Sequence, residues 1–216
     1  MIKNYSLGLL AFILLLGSCN NSSKTASAEQ DTVTRASLNK PEEIQQISEV
    51  ITRFARAYLS QDNEKVNALI HPEHGLAVIY RPGVMDDFKL VDSFDIRNPV
   101  PAHYPYTTFE NDKTLTFEAL PEFQCDTDKW TKYGFMSDTT KTSVTHLLDT
   151  IMKYQGEYNE VKYDEATLKK VSILEDGSYR VILNPTDEHF LIFHVKQFEG
   201  SWFVTLLDRS YGNCDA

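Results

Sequence analysis

Basic residues are scarce in this sequence. Lys and Arg number 21 against 31 Asp and Glu, so the formal net charge is −10 at pH 7. Nucleic-acid binding needs a basic surface that displaces counterions from the phosphates, so the deficit argues against a nucleic-acid partner. It argues in the same way against tight binding to anionic lipid headgroups.

Common signatures of catalysis are also missing. The sequence has no Gly-x-Ser-x-Gly elbow of the kind that presents a nucleophile, and no glycine-rich loop that could hold a phosphate. We therefore predict no cofactor and favour a role without catalysis. No internal repeat or second domain boundary is visible. About 180 residues follow residue 38, enough for one domain with a core of its own, which we place at residues 39–216.

The apolar run near the start is too short to span a bilayer. It follows Lys3 and covers residues 7–16, about ten residues where a spanning helix needs roughly twenty. A positive start, a short apolar run and small residues have the layout of an export signal. The Leu-Gly-Ser-Cys end at 16–19 resembles the lipobox of bacterial lipoproteins, which implies a signal peptide over 1–18 and lipid on Cys19. The alternative is an ordinary cleaved signal or a short membrane anchor.

Residues 19–38 are predicted to form a flexible tether. The stretch 20–30 is polar and small and has no aromatic residue, so it cannot bury enough surface to offset the entropy of ordering. In lipoprotein sorting, Asn20 in place of Asp after the cysteine implies the outer membrane. Because no acidic run follows, we expect the protein to face the periplasm rather than the cell exterior.

Cysteine is rare, with three residues in the whole chain. If Cys19 carries lipid, Cys125 and Cys214 remain, and a leftover pair in an oxidising periplasm usually forms a disulfide. On the chain-entropy model, closing so long a loop stabilises the fold by roughly 4 kcal/mol. The alternative is a pair of buried or unpaired thiols.

Hydrophobic periodicity predicts three helices. The first runs from about Pro41 to Leu59, with an apolar stripe at spacings of three and four. The second begins after the capping residue Asp62 and is ended by Pro72. The third runs from about Ser143 to Tyr154.

The remaining patterns predict strands. Residues 76–80 and 114–119 are typical of short strands, and 98–106, with three prolines, is typical of an irregular loop. At the end of the chain, 178–184, 189–198 and 201–207 predict a three-stranded antiparallel meander. Alternation in the last strand predicts that Trp202, Val204 and Leu206 share one face.

Helices followed by a curved antiparallel sheet give an α+β plan. The Ala-Leu-Ile-His-Pro-Glu-His-Gly run at 68–75 and the Phe-Glu-Gly-Ser-Trp-Phe-Val run at 198–204 resemble small exported lipoproteins of the nuclear transport factor 2-like (cystatin-like) superfamily. That resemblance implies a cone of helices held in a bent sheet. It covers both ends of the domain but not residues 84–134, and it does not select a function, because the superfamily contains enzymes and binding proteins alike.

Several polar clusters are candidate sites. The histidines at 71 and 74, with Glu73, could bind zinc, but their spacing matches no known zinc helix, and a turn stabilised by His71 or Glu73 is the simpler interpretation. We predict no metal here. Two carboxylate pairs, Asp86 with Asp87 and Asp126 with Asp128, could do acid–base work, although such pairs are usually solvated.

Aromatic residues in the middle of the chain give the leading candidates for a ligand site. Aromatic side chains on loops beside a curved sheet can bind a sugar, a peptide or an apolar ligand, although they can equally pack as core. The candidates, with one histidine from an apolar strand, are Tyr104, Tyr106, Trp130, Tyr133 and His194. Three functions stay open: a binding module for a small molecule, glycan or envelope protein, a periplasmic hydrolase or isomerase, and a docking module.

Overall fold

The computed structural model of the protein describes residues 41–138 and 147–210. Its helices are α1 (Pro41–Leu59), α2 (Asn63–Asn67), α3 (Leu147–Tyr158) and α4 (Glu165–Glu175). Its strands are β1 (Leu76–Tyr80), β2 (Asp87–Val91), β3 (Leu115–Phe117), β4 (Phe123–Gln124), β5 (Lys129–Trp130), β6 (Gly134–Ser137), β7 (Tyr179–Asn184), β8 (Leu191–Phe198) and β9 (Ser201–Asp208). Among these residues, no helix is both long and apolar enough to cross a membrane.

Seven strands form one mixed sheet in the order β2-β1-β9-β8-β7-β6-β3, and β4 pairs separately with β5. The predicted α+β class is confirmed, and β7, β8 and β9 form the predicted antiparallel meander. The expectation of an antiparallel sheet throughout is wrong, because β1 runs parallel to β9 and β3 runs parallel to β6. Parallel neighbours cannot be joined by a tight turn, so the chain between each pair must pass through other elements.

The N-terminal helices follow their sequence signals closely. Helix α1 has the predicted bounds and buries its apolar stripe against the sheet. Helix α2 starts after Asp62, whose carboxylate accepts a hydrogen bond from the Lys65 N–H at 3.1 Å. It ends at Asn67, earlier than predicted, because the next residues join the sheet: the Leu69 carbonyl accepts a hydrogen bond from the Val204 N–H at 2.8 Å.

Helices α3 and α4 cover the opposite face of the sheet. The predicted third helix is present as α3 and extends to Tyr158, while residues 139–146, which include its predicted start, lie outside the described ranges. Helix α4 was not predicted. The buried Glu175 carboxylate at its end accepts hydrogen bonds from the N–H groups of Leu147 and Leu148, so one helix caps the other.

A β-bulge divides the last strand between the two faces. Val195 pairs with Val204, but His194 pairs with Leu206, so Thr205 is the extra residue. Trp202 and Val204 therefore pack with α1, whereas Leu206 packs with α3 and α4. The prediction that these three residues share a face is wrong, because a bulge reverses the alternation of side chains beyond it.

The middle of the chain is partly regular. Residues 98–106 form the predicted irregular loop, and the predicted strand at 114–119 is present as the shorter β3. Cys125 is disulfide-bonded. Cys19 and Cys214 lie outside the described residues, as do the predicted signal peptide and the predicted tether, so the pairing of Cys125 with Cys214 stays a prediction.

Candidate functional site

Three strand ends meet at one edge of the sheet. Because β1 and β9 are parallel, their carboxyl ends lie together, with Ile79 paired to Asp208. Strand β8 runs antiparallel to β9, so its first residues meet the same end, with Ile192 paired to Asp208. Side chains from distant parts of the sequence are thereby brought to one place.

A cleft of about 960 Å³ opens at this edge, and we call it the strand-end cleft. The loop 101–108 and the turn 187–190 contribute to its walls. Its aromatic lining residues are Tyr58, Tyr80, Tyr104, Phe123 and Phe190, and its ionisable ones are Arg81, His103, Asp128, Asp187, Glu188, His189, Asp208 and Arg209. The lining therefore holds more ionisable groups than aromatic rings, which suits a polar ligand better than an apolar one.

Arg209 fixes one wall of the strand-end cleft. Its guanidinium donates hydrogen bonds to the backbone carbonyls of Val100, Tyr104 and Pro105, the last two at 2.7 Å. It also lies 4.4 Å from the ring centroid of Tyr104 and 4.3 Å from that of Tyr106. The planar guanidinium suits this combined role, because it presents several donors in its plane and an aromatic-binding face above it. The loop 98–106 is therefore anchored to the end of β9.

A buried ion pair lies beside Arg209. The Asp208 carboxylate, whose side chain is inaccessible to solvent, accepts a hydrogen bond from Arg180 Nη2 at 3.1 Å. Its other oxygen accepts hydrogen bonds from the N–H and Oγ–H of Ser210. With its lone pairs satisfied, Asp208 has a structural role, since a buried carboxylate is tolerated only when paired and hydrogen-bonded.

Tyr58 lines the strand-end cleft, and Tyr106 lies behind that lining, with the two ring centroids 6.0 Å apart. Burial raises the pKa of Tyr58 above its usual value, an effect opposed by the charge of Arg209. Burial likewise raises the pKa of Tyr106, whose hydroxyl accepts a hydrogen bond from the Val100 N–H at 3.3 Å. Both phenols are therefore neutral at neutral pH.

The five predicted ligand-site residues are not brought together. Tyr104 lines the strand-end cleft and is 42% exposed, and Tyr106 is buried directly behind it. Trp130 is buried against Phe123 and Phe190 and serves as core. The exposed Tyr133 donates its hydroxyl hydrogen to the Asp187 carboxylate at 2.7 Å, which orders the turn that forms another wall.

His194, the fifth candidate, is buried in the sheet and lines neither the strand-end cleft nor a second depression beside α1. Its Nδ1 lies 3.0 Å from Ser178 Oγ, and its Nε2 has no hydrogen-bond partner among the described residues. Burial, helped by the charge of Arg180, holds the pKa of His194 well below its usual value. His194 is thus a neutral core histidine.

The His-Pro-Glu-His segment at 71–74 forms a tight turn. His71 Nδ1 faces the N–H groups of Glu73 and His74, at 3.2 and 3.4 Å, and the Gly75 N–H donates to the His71 carbonyl at 2.8 Å. Gly75 has φ +68°, and a Cβ there would lie 2.3 Å from the Val91 carbonyl oxygen. The structure supports the turn interpretation, in which His71 hydrogen-bonds the chain. Among the described residues no group of three or more metal-ligating side chains occurs.

The two carboxylates of each candidate pair have different surroundings. Asp86 accepts a hydrogen bond from Arg81 Nε at 2.7 Å, while Asp87 accepts one from the Tyr80 hydroxyl at 3.2 Å. Asp126 is exposed, and Asp128 alone of the four lines the strand-end cleft. Neither pair forms an acid–base couple.

Sequence reasoning missed Arg209 and Asp208, which the structure places at the centre of the site. The available signal was a run of charged and polar residues, Asp-Arg-Ser, directly after a buried strand. Such residues usually belong to a solvated tail, whereas here Arg209 is only 9% exposed.

Comparison of the chain with protein-family models, curated proteins and solved structures finds no match.

Proposed function

We propose that the protein is a lipid-anchored envelope lipoprotein that binds a ligand in the strand-end cleft without chemically changing it. The anchor is supported by the export-signal layout and the lipobox-like end at residues 16–19. The outer membrane, facing the periplasm, is the proposed location. Acyl chains on Cys19 would hold the domain there, since each buried methylene contributes roughly 0.8 kcal/mol.

The single observation that carries the binding proposal is the anchoring of loop 98–106 by Arg209. A loop held by three hydrogen bonds and two ring contacts is ordered before any ligand arrives. Ligand binding then costs less conformational entropy than it would if the wall had to form around the ligand. Tyr104, exposed on this loop, is presented to the cleft as a fixed aromatic surface.

The lining favours a polar ligand with a flat apolar face, and a glycan is our leading candidate. Aromatic rings such as Tyr104 and Phe190 offer apolar surfaces, while the nearby carboxylates and histidines offer hydrogen bonds. The cleft carries both signs of charge, so a strongly charged ligand of either sign would meet repulsion.

We further propose a nuclear transport factor 2-like fold. It is supported by two N-terminal helices followed by a large sheet, with α1 packed through Phe54 against Phe193 of β8, their ring centroids 4.7 Å apart. The turn at 70–75 and the β8–β9 hairpin, the two segments that carry the resemblance, lie next to each other: His71 packs against Phe198 and Phe203.

The alternative of a hydrolase or isomerase has less support. An acid–base enzyme would use a histidine and a carboxylate in contact at the floor of the pocket. His194 instead pairs with Ser178, and the His189 ring nitrogen lies beside the Thr186 hydroxyl. The space between α1 and the sheet is filled by side chains of the main core.

Isothermal titration calorimetry on the full-length protein in phosphatidylcholine nanodiscs tests the proposal. The probes are chitotriose and maltotriose, and protein-free discs supply the blank. We expect at least one sugar to bind, and Tyr104→Ala to weaken its binding about tenfold, the cost of roughly 1.4 kcal/mol for a lost aromatic contact.

The matched control is Tyr154→Ala. Tyr154 is 48% exposed, close to the exposure of Tyr104, but it lies on α3 away from the cleft, so this variant should bind like the wild type. Failure of both sugars to bind, or equal losses in the two variants, would contradict a glycan site in this cleft.

A further inference from the structure

A second depression, of about 970 Å³, runs along the C-terminal half of α1, and we call it the α1 groove. Its other side is the segment 109–115, which leads into β3. The floor is apolar, and its half-buried members Leu59, Phe109 and Leu115 still expose apolar surface. The buried Ala55, Leu69 and Phe135 complete it. The α1 groove and the strand-end cleft share no lining residue.

The ionisable residues around the α1 groove are mostly basic. Arg53, Arg56, Lys65 and Lys113 line it against a single acid, Asp112, in a chain whose net charge is −10. Lys113 is paired with Asp112 at 2.9 Å, and Lys65 is paired with Asp62 at 2.6 Å. Both are exposed pairs of the kind that contributes little and exchanges readily.

Arg53 and Arg56 differ from the two lysines. Within residues 41–138 and 147–210, neither guanidinium has a hydrogen bond or an ion pair. They stand three residues apart on one helix, and side chains with that spacing are neighbours on its surface. Two adjacent guanidinium groups offer a carboxylate or phosphate several charge-assisted hydrogen bonds.

From the basic rim and the apolar floor together, we infer that the α1 groove binds an amphiphilic anion, a molecule with one apolar chain and a carboxylate or phosphate head. The chain would lie on the floor, where removal of apolar surface from water is favourable. The head would lie between Arg53 and Arg56. A small polar anion would leave the apolar floor unused, and so would a purely acidic peptide.

Calorimetry on the full-length protein in phosphatidylcholine nanodiscs tests the inference, with protein-free discs as the blank. Octanoate and octyl phosphate carry the chain and the head, octanol carries the chain alone, and acetate the charge alone. We expect octanoate or octyl phosphate to bind at least tenfold tighter than octanol and acetate. Whichever of octanoate and octyl phosphate binds more tightly identifies the preferred head group as a carboxylate or a phosphate.

Arg53→Gln and Arg56→Gln should each weaken binding of the stronger amphiphile about tenfold, because each removes one charge-assisted contact. Arg97→Gln is the matched control, since Arg97 is exposed and lies outside the groove. Equal affinity for octanol and octanoate, or equal behaviour of all three arginine variants, would overturn the inference. Binding of an acidic peptide, N-acetyl-tetraglutamate, as tightly as octanoate would also overturn it, in favour of a protein partner.

This test is separate from the test of the strand-end cleft. Tyr104→Ala should leave octanoate binding unchanged, and Arg53→Gln should leave sugar binding unchanged. Either site can therefore fail without the other.

Discussion

The strand-end cleft and the α1 groove have similar volumes, and both are bordered by arginine, but they use it in opposite ways. The Arg209 guanidinium donates hydrogen bonds to three backbone carbonyls and packs against two tyrosine rings. Arg53 and Arg56 have no such partner among the described residues. Arg209 therefore stabilises one side of the strand-end cleft, whereas the guanidinium groups of Arg53 and Arg56 are available to a ligand.

This difference shows that proximity to a depression does not define the role of an arginine. An arginine saturated by protein carbonyls is part of the structure, and removing it takes their charged hydrogen-bond donor away. An exposed arginine without partners can be removed at little cost to folding. The two sites should therefore respond differently to the same kind of substitution.

The largest expected effect is that of Arg209→Met, which keeps much of the volume but removes all the donors. We expect the free energy of unfolding to fall by about 3 kcal/mol, since carbonyls of Val100, Tyr104 and Pro105 lose a charged donor. Urea unfolding measures the loss, and limited proteolysis should show faster cleavage within 98–106. The free energy of unfolding of Arg209→Lys should lie between those of Arg209→Met and the wild type, because an ammonium group cannot donate to all three carbonyls in one plane.

A loss below 0.5 kcal/mol for Arg209→Met, on the order of an ordinary surface substitution, would contradict the role assigned to this residue. The same would follow from an unchanged rate of cleavage in the loop.

The next effect is the pH dependence of stability that His194 contributes. Its folded-state pKa lies well below the usual value of 6.5, so below that pH the unfolded chain binds a proton that the folded protein does not. The free energy of unfolding should therefore fall as the pH falls, by roughly 1.4 kcal/mol between pH 7.5 and 5.5 from this residue alone.

His194→Gln, which does not titrate, should lose that share of the pH dependence, as measured by urea unfolding at both pH values. Because His194 lines neither depression, the variant also separates global stability from either binding site. Equal slopes in the wild type and the variant would show that this histidine does not become protonated on unfolding.

The smallest expected effect concerns the α1 groove. Arg53→Gln and Arg56→Gln should each change the free energy of unfolding by less than about 0.5 kcal/mol, as for surface residues without partners. Urea unfolding checks this directly. A loss comparable to that of Arg209→Met would remove the contrast between the two sites, since it would show that these arginines support the fold.

Local signals in the sequence predicted much of the fold. Helix α1 and strand β1 have the predicted bounds, and the meander is present, because their patterns repeat within a few residues of the chain. Asp62 caps α2 as its side-chain type suggests. Strand β2 and helix α4 were missed because each is only partly apolar: β2 is nowhere fully buried, and α4 carries an exposed Leu168.

The candidate site was less predictable, because it depends on long-range contacts. Tyr104 was identified from its aromatic loop, but the partner that orders it, Arg209, lies 105 residues away. The bulge at Thr205 decides which face Leu206 covers, and nothing in the alternation of the strand signals it. Trp130 and His194 were candidates by residue type, and burial makes them core residues instead.

The most direct test of the central claim is native mass spectrometry of the full-length gene product recovered from cell envelopes in mild detergent, with Tyr104→Ala and Tyr154→Ala prepared in parallel. For the wild type, we predict lipid on Cys19 and a further non-covalent mass of a glycan, distinct from any amphiphile in the α1 groove, that is lost on denaturation. That mass should be retained by Tyr154→Ala and absent from Tyr104→Ala. A wild-type protein without a glycan mass, or a glycan mass that is unaffected by Tyr104→Ala, would contradict a ligand site in the strand-end cleft.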